Sequence, residues 1–164
     1  MKFYALIFIS FLMLAGCMPS PYYQKSYTIP QNAWQFSYQP TFKIDVTDTT
    51  SLYDMYFIIR HTDAYQFSNI WMNIYMKQPG DTSFSKMPIE VTLAASTGQW
   101  MGRGMGEIWE QRIPLTEPGD RSILRKKGTY EIKLQQNMRV NPLSEVLQVG
   151  LRVERGADRN VARN

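Results

Sequence analysis

The sequence predicts an all-β domain, an antiparallel two-sheet β-sandwich of jelly-roll-like form, over residues 27–155. Three observations predict it. Apolar side chains recur at every second residue in segment after segment, the spacing of half-buried strands. No stretch beyond the first residues keeps the apolar stripe of a surface helix. Turn-forming clusters such as Pro79-Gly80-Asp81 separate the alternating runs. Roughly seven to nine strands result, and two sheets packed face to face bury them economically. A closed, lipocalin-like barrel is the alternative.

Residues 1–16 read as a removable export signal. Lys2 charges its start, and Phe3 to Leu14 is apolar except at Ser10. A permanent span needs about 20 apolar residues, so this shorter run is a leader. Leu14-Ala15-Gly16-Cys17 closes it. That segment resembles the lipobox of bacterial lipoproteins, in which Leu and two small residues precede a cysteine that is diacylated before cleavage. Cys17 is the only cysteine of the chain, so it has no intramolecular disulfide partner. The expectation is a lipid-modified N-terminal Cys17 carrying fatty chains such as palmitate. Each buried CH₂ adds about 0.8 kcal/mol, so two or three chains hold the protein stably at a membrane. Met18 stands where an Asp would suggest retention at the inner membrane, and no acidic run follows to suggest surface export. The expected address is the outer membrane, facing the periplasm.

Residues 17–26 read as a lipidated flexible tether, kept extended by Pro19 and Pro21. Trp34, Phe36 and Tyr38 then alternate, and Phe42, Ile44 and Val46 resume after Pro40, a bulge or edge signal. Between 52 and 60, Tyr53, Met55, Phe57 and Ile59 share a face while Tyr56 and Ile58 make the other apolar, which predicts a central strand covered on both sides. Residues 61–66 read as a polar loop. From Phe67 to Lys77, Ile70, Met72, Ile74 and Met76 face one way and Trp71, Asn73 and Tyr75 the other. Ile89, Val91 and Leu93 mark a further strand. Gly98, Gly102, Gly104 and Gly106 crowd one short segment and predict positive φ, bulges or close backbone approach. Trp109, Ile113 and Leu115 follow, with Pro114 and Pro118 limiting regular structure. Tyr130, Ile132 and Leu134, then Val149, Leu151 and Val153, form the last strands, and 156–164 is a polar tail.

Composition excludes some partners. The formal net charge of +4 comes from 18 basic and 14 acidic residues, and Lys2 leaves with the leader. Such a balanced mixture is not the clustered basic footprint of a nucleic-acid binder. Arg125-Lys126-Lys127 reads as a solvated turn.

Several segments, in order and over most of the chain, resemble GldH, the gliding-motility lipoprotein family of the Bacteroidetes. They are Asn32-Ala33-Trp34, Phe57-Ile58-Ile59-Arg60, Tyr65-Gln66-Phe67-Ser68-Asn69, the run from Ala94 to Ile108 with its four glycines and Trp100, Gly128-Thr129-Tyr130, Gln136-Asn137-Met138-Arg139, and Val149-Gly150-Leu151-Arg152-Val153-Glu154. The resemblance implies a cell-envelope role in gliding machinery linked to type IX secretion, with envelope proteins of that machinery as partners. It supplies no catalytic residues, and no cofactor is expected.

An enzymatic reading starts poorly. His61 is the only histidine, and a Ser-His-Asp set from Ser51 or Ser68, His61 and Asp63 lacks a nucleophile elbow. Glu107 and Glu110 are the best carboxylate pair, but a backbone-bonded and a solvated role suit them better. Asp45, Asp48 and Asp81 match no dedicated calcium loop, so no metal site is expected. The expected role is a non-catalytic structural or adaptor component. The alternative is a glycan- or peptidoglycan-binding module. Trp71, Trp100, Arg103 and Trp109 are the candidates for interface or glycan contact, with Tyr75 a further aromatic. Arg60, Arg139 and Arg152 are further interface anchors, since aromatic, Met and Arg side chains suit an interface core.

Overall fold

The computed structural model of the protein describes residues 20–116 and 123–158. The leader, Cys17 and the end of the polar tail lie outside the described residues. Eleven strands follow in chain order: β1 (Tyr23–Thr28), β2 (Ala33–Trp34), β3 (Thr41–Val46), β4 (Ser51–Thr62), β5 (Asn69–Lys77), β6 (Ser85–Thr92), β7 (Arg103–Met105), β8 (Ile108–Pro114), β9 (Gly128–Gln136), β10 (Leu143–Ser144) and β11 (Val146–Asp158). They form one sheet in the order β1-β11-β4-β8-β7, a second in the order β3-β9-β5-β6, and a small β10-β2 ribbon. Every pairing is antiparallel. The domain is therefore a two-sheet sandwich with open edges, not a closed barrel.

Period-two alternation explains the packing. On β4, Tyr53, Met55, Phe57 and Ile59 point inward and meet the inward residues Val149, Leu151 and Val153 of β11. From the facing sheet come Phe42, Ile44, Ile70, Met72, Ile74, Tyr130, Ile132 and Leu134, all buried. Such interdigitated inner faces are how a sandwich buries its core without disulfides. β4 is central, as its two apolar faces predict. Ile58 on its outer face is buried, while Tyr56 on the same face is half-buried.

The structure departs from expectation at several places, one of them the alternating run Trp34, Phe36 and Tyr38, where β2 ends at Trp34 and the chain turns with Tyr38 N–H on the Gln35 carbonyl. β1 starts at Tyr23, inside the segment expected to be a flexible tether, and pairs with β11 from Tyr23↔Val153 to Thr28↔Gln148. The signal was weak because an edge strand is covered on one side only. β11 runs to Asp158, into the expected tail. Pro114 ends β8 without preventing it, since the proline falls at the last residue of the strand. Finally, the expected loop at 61–66 begins two residues late: His61 and Thr62 belong to β4.

Register defines two ends. The described chain enters at the lower end, with the 46–51 and 77–85 turns and the end of β11. The connections 29–41, 62–69, 92–103, 105–108 and 136–146 form the upper end.

Candidate functional site

The upper end is built around buried polar side chains. His61 closes β4 and is fully buried, so it is not the solvated loop residue expected. Its Nδ1–H donates to the Thr62 carbonyl at 2.8 Å, and its Nε2 accepts from the Gln111 amide at 3.2 Å. The same amide donates to the Leu93 carbonyl at 2.8 Å. Trp100 meets the imidazole edge-on at 4.5 Å between centroids, and Tyr65 lies at 5.4 Å. Burial lowers the pKa of His61 and opposes the backbone bond that favours its charged form. Burial raises the Tyr65 phenol. Both groups are neutral at ordinary pH and serve packing.

Gln136 performs the same service on the other sheet. It is buried at the end of β9, donates to the Trp34 and Val140 carbonyls, and accepts from Met138 N–H at 2.8 Å. Asn137 N–H donates to the Trp71 carbonyl at 2.8 Å, and Asn141 Oδ1 accepts from Phe36 N–H at 2.9 Å. These bonds pin the 137–141 segment beside β5. Strand periodicity did not mark Gln136 as buried; its one signal was its place at the head of the Gln136-Asn137-Met138-Arg139 segment.

The candidate residues occupy separate places. Trp71 is 42 % exposed on the outer face of β5 and lines a groove of about 480 Å³ with Phe67, Asn137, Met138, Arg139 and Val140. Trp100 is half-buried against His61 and packs on the core, held by a bridge to Ala94. Trp109 is half-buried, its ring lying over Gly104, where a Cβ would come within 3.0 Å of the indole. Arg103 is exposed on β7 and lines a second depression of about 320 Å³ with Arg60, Met105, Ile108, Glu110, Leu147 and Gln148. Trp71 thus stands apart from Trp100, Arg103 and Trp109, on the opposite sheet. Tyr75, on the same outer face as Trp71, donates its hydroxyl to Gln135 Oε1 at 2.9 Å.

The arginines divide similarly. Arg60 pairs with Glu110, and Arg152 pairs with Glu154 and donates to Gln24. Arg112 pairs with Glu154 and lies over the Tyr56 ring at 3.9 Å. Exposed pairs like these contribute little to stability. Arg103 and Arg139 have no ion-pair partner among the described residues.

No catalytic constellation assembles from the candidates. Glu110 points outward to Arg60, while Glu107 is exposed in the turn where its carbonyl accepts from Asp63 N–H. Ser51 lies at the far end of β4 from His61 and donates to Asp48. Asp45 accepts from Thr129, Asp48 caps Thr50 and Ser51, and Asp81 caps Gln78 N–H. Among the described residues no three metal-ligating side chains converge.

What distinguishes the upper end is its apolar surface. Among the described residues, the exposed large hydrophobics are Phe36, Trp71, Met87, Met101, Met105, Ile108 and Val140, and all but Met87 lie there. Met105 is 77 % exposed at the tip of the β7–β8 hairpin.

Fold and site together define a small β-sandwich whose polar groups hold loops and whose exposed apolar groups gather at one end. The chain belongs to the GldH lipoprotein family, whose family model matches residues 21–153. It is 26 % identical over 161 residues to a protein named gliding motility lipoprotein GldH homolog from Christiangramia forsetii, covering 93 % of this chain and 96 % of that one. It is 27 % identical over 131 residues to the gliding motility lipoprotein GldH of Flavobacterium johnsoniae, covering 75 % and 78 % of the two chains. Among solved structures, a cellulose-specific carbohydrate-binding module of type CBM28 aligns with a TM-score of 0.43 at 10 % identity, over 82 % of this chain and 73 % of the other.

Proposed function

We propose that this protein is a non-catalytic structural or adaptor component of the gliding motility machinery linked to protein secretion. It is held at the outer membrane by lipid on Cys17, faces the periplasm, and meets its partners through the upper end of the sandwich. The names of its relatives and the Leu14-Ala15-Gly16-Cys17 segment support the envelope role. The observation that carries the adaptor reading is the placement of the exposed apolar side chains. Met105, Ile108, Met101, Trp71, Val140 and Phe36 lie at the end opposite the chain's entry at Tyr23. A lipid at Cys17 would leave that end pointing away from the membrane.

The strand order supports the jelly-roll form. Taking the eight longer strands in chain order, the first, eighth, third and sixth lie in one sheet and the second, seventh, fourth and fifth in the other. This winding brings the connections of both sheets to common ends.

A glycan- or peptidoglycan-binding module is the second reading, favoured by the exposed indole of Trp71 beside Asn137 and Arg139. Against it, the ring pairs that meet among the described residues are tilted or edge-on, not parallel stacking platforms.

Crosslinking in living cells, followed by purification of the intact lipoprotein, tests the proposal. A reproducible complex with gliding or secretion components is expected. Its loss in Met105→Asp with Ile108→Asp, at unchanged protein level, would locate the contact. Enrichment of peptidoglycan fragments alone, with no constant protein, would overturn the adaptor reading. Cys17→Ser should abolish labelling by a fatty-acid probe, and retained labelling would refute the anchor.

A further inference from the structure

β5 and β9 pair from Lys77↔Glu131 up to Met72↔Gln136, one further backbone bond joins Asn137 N–H to the Trp71 carbonyl, and there the strands part. Beyond that point Trp71 N–H donates to the Met138 thioether at 3.1 Å, a weak acceptor in place of a ladder carbonyl. The parting opens the groove between the Phe67–Trp71 segment and the Asn137–Val140 segment. Past Phe67 and Val140 it continues into a second lobe of about 230 Å³, lined also by Gln66, Pro142 and Ser144. The groove is preformed, because Gln136 holds Met138 and Val140 while Asn137 is bonded to Trp71. A preformed wall spares a ligand the cost of ordering it.

The lining sets the occupant. Indole, phenyl, thioether and isopropyl groups suit aliphatic or aromatic side chains better than hydroxyl-rich sugars. Trp and Arg together are the residue types on which binding energy concentrates. Neither lobe is lined by an acidic residue, and Arg139 is exposed. Glu90 stands across from Trp71 in the β5–β6 ladder, where it accepts from Asn69 and does not line the groove, and Glu145 accepts from Thr62.

The geometry points to a docking groove for an extended, acidic–apolar segment of a partner protein. One apolar side chain of that segment packs on Trp71 and Met138, a carboxylate meets Arg139, and a second side chain enters the Phe67–Pro142 lobe. This inference rests on the adaptor reading and supplies its partner chemistry.

The test uses the full lipoprotein in detergent micelles and a displayed library of random peptides. Enriched peptides should place Asp or Glu within a few residues of Leu, Ile, Met or Phe. Their affinity should fall at least about tenfold in Trp71→Ala and in Arg139→Glu. It should not change in Lys43→Glu, an equal charge reversal elsewhere on the same sheet. A second selection on Arg139→Glu should enrich Lys and Arg instead. If Trp71→Ala lowers the melting temperature, Val140→Asp replaces it at an exposed position. Failure to enrich any peptide, enrichment indifferent to these variants, or binding of muramyl glycans in place of peptides would overturn the assignment. Crosslinking in cells separates the two levels. A constant partner whose yield survives Trp71→Ala with Arg139→Glu refutes the groove and leaves the adaptor reading standing. Absence of any partner with the unaltered protein refutes the adaptor reading itself.

Discussion

Replacing Gln111 by Met preserves the length of a buried side chain while deleting an amide with two acceptors. Gln111 points inward from β8, and its Nε2 serves both Leu93 O and His61 Nε2. The two losses differ. Leu93 O keeps Met101 N–H at 2.9 Å, so only the net value of one bond disappears, about 1 kcal/mol. His61 Nε2 is left bare in a buried site, which costs about 1–3 kcal/mol. The expected destabilisation is therefore about 2–4 kcal/mol, read as a lower urea midpoint at unchanged slope. Tryptophan fluorescence is the natural probe, because Trp100 touches the imidazole. His61→Phe alone should also destabilise, since it leaves the Gln111 amide with Leu93 O as its one remaining acceptor and an N–H unpaired. The double variant, with neither polar partner, should lose much less than the two single losses added. A Gln111→Met loss below about 0.5 kcal/mol, or strict additivity in the cycle, would refute the claim that this pair is desolvated.

Three further outcomes rest on the same packing. The folded chain holds His61 neutral by burying it, while the unfolded chain takes up a proton at the ordinary value near 6.5; stability should be level above that pH and fall as pH drops below it, until the depressed folded value is reached. Calorimetry across that window should show the fall in the unaltered protein and its absence in His61→Phe. Gly102 has φ +98°, and a Cβ there would lie 2.5 Å from the Glu110 carbonyl, so Gly102→Ala should cost about 1–3 kcal/mol in thermal unfolding, whereas a neutral result would mean the β7–β8 hairpin shifts freely. Hydrogen bonds from Ser51 and Thr50 hold the Asp48 carboxyl well below the usual carboxylate range. In an NMR titration it should stay ionised where other aspartates are half protonated, and titration near their usual value would show that the turn is open in solution.

The strands that pack on both sides, or fully on one, were legible in the sequence. Along the middle of β4, β5, β9 and β11 the inward residues are apolar, with Ser51, His61 and Gln136 only at strand ends, so the pleat alone assigns their faces. β1 was missed because it sits at an edge, where Tyr23 and Tyr27 are only half-buried and Lys25 between them is exposed. His61, Gln111 and Gln136 were misread or passed over for a common reason. Each is polar at an inward position, and each has a partner that only the fold brings across from a distant element: Gln111 for His61, Leu93 for Gln111 and Trp34 for Gln136. The grouping of candidates also needed the fold: Trp71 and Arg139 share a groove because β5 and β9 part there, while Trp100, Arg103 and Trp109 lie on the other sheet's side. The sequence by itself determined the class, since period-two alternation is a local property of each strand, and it carried the family likeness in ordered short segments. Tertiary structure decided which exposed side chains meet at one end, because neighbours across a sandwich are set by the order in which strands pair, and residue spacing along one strand does not encode that order.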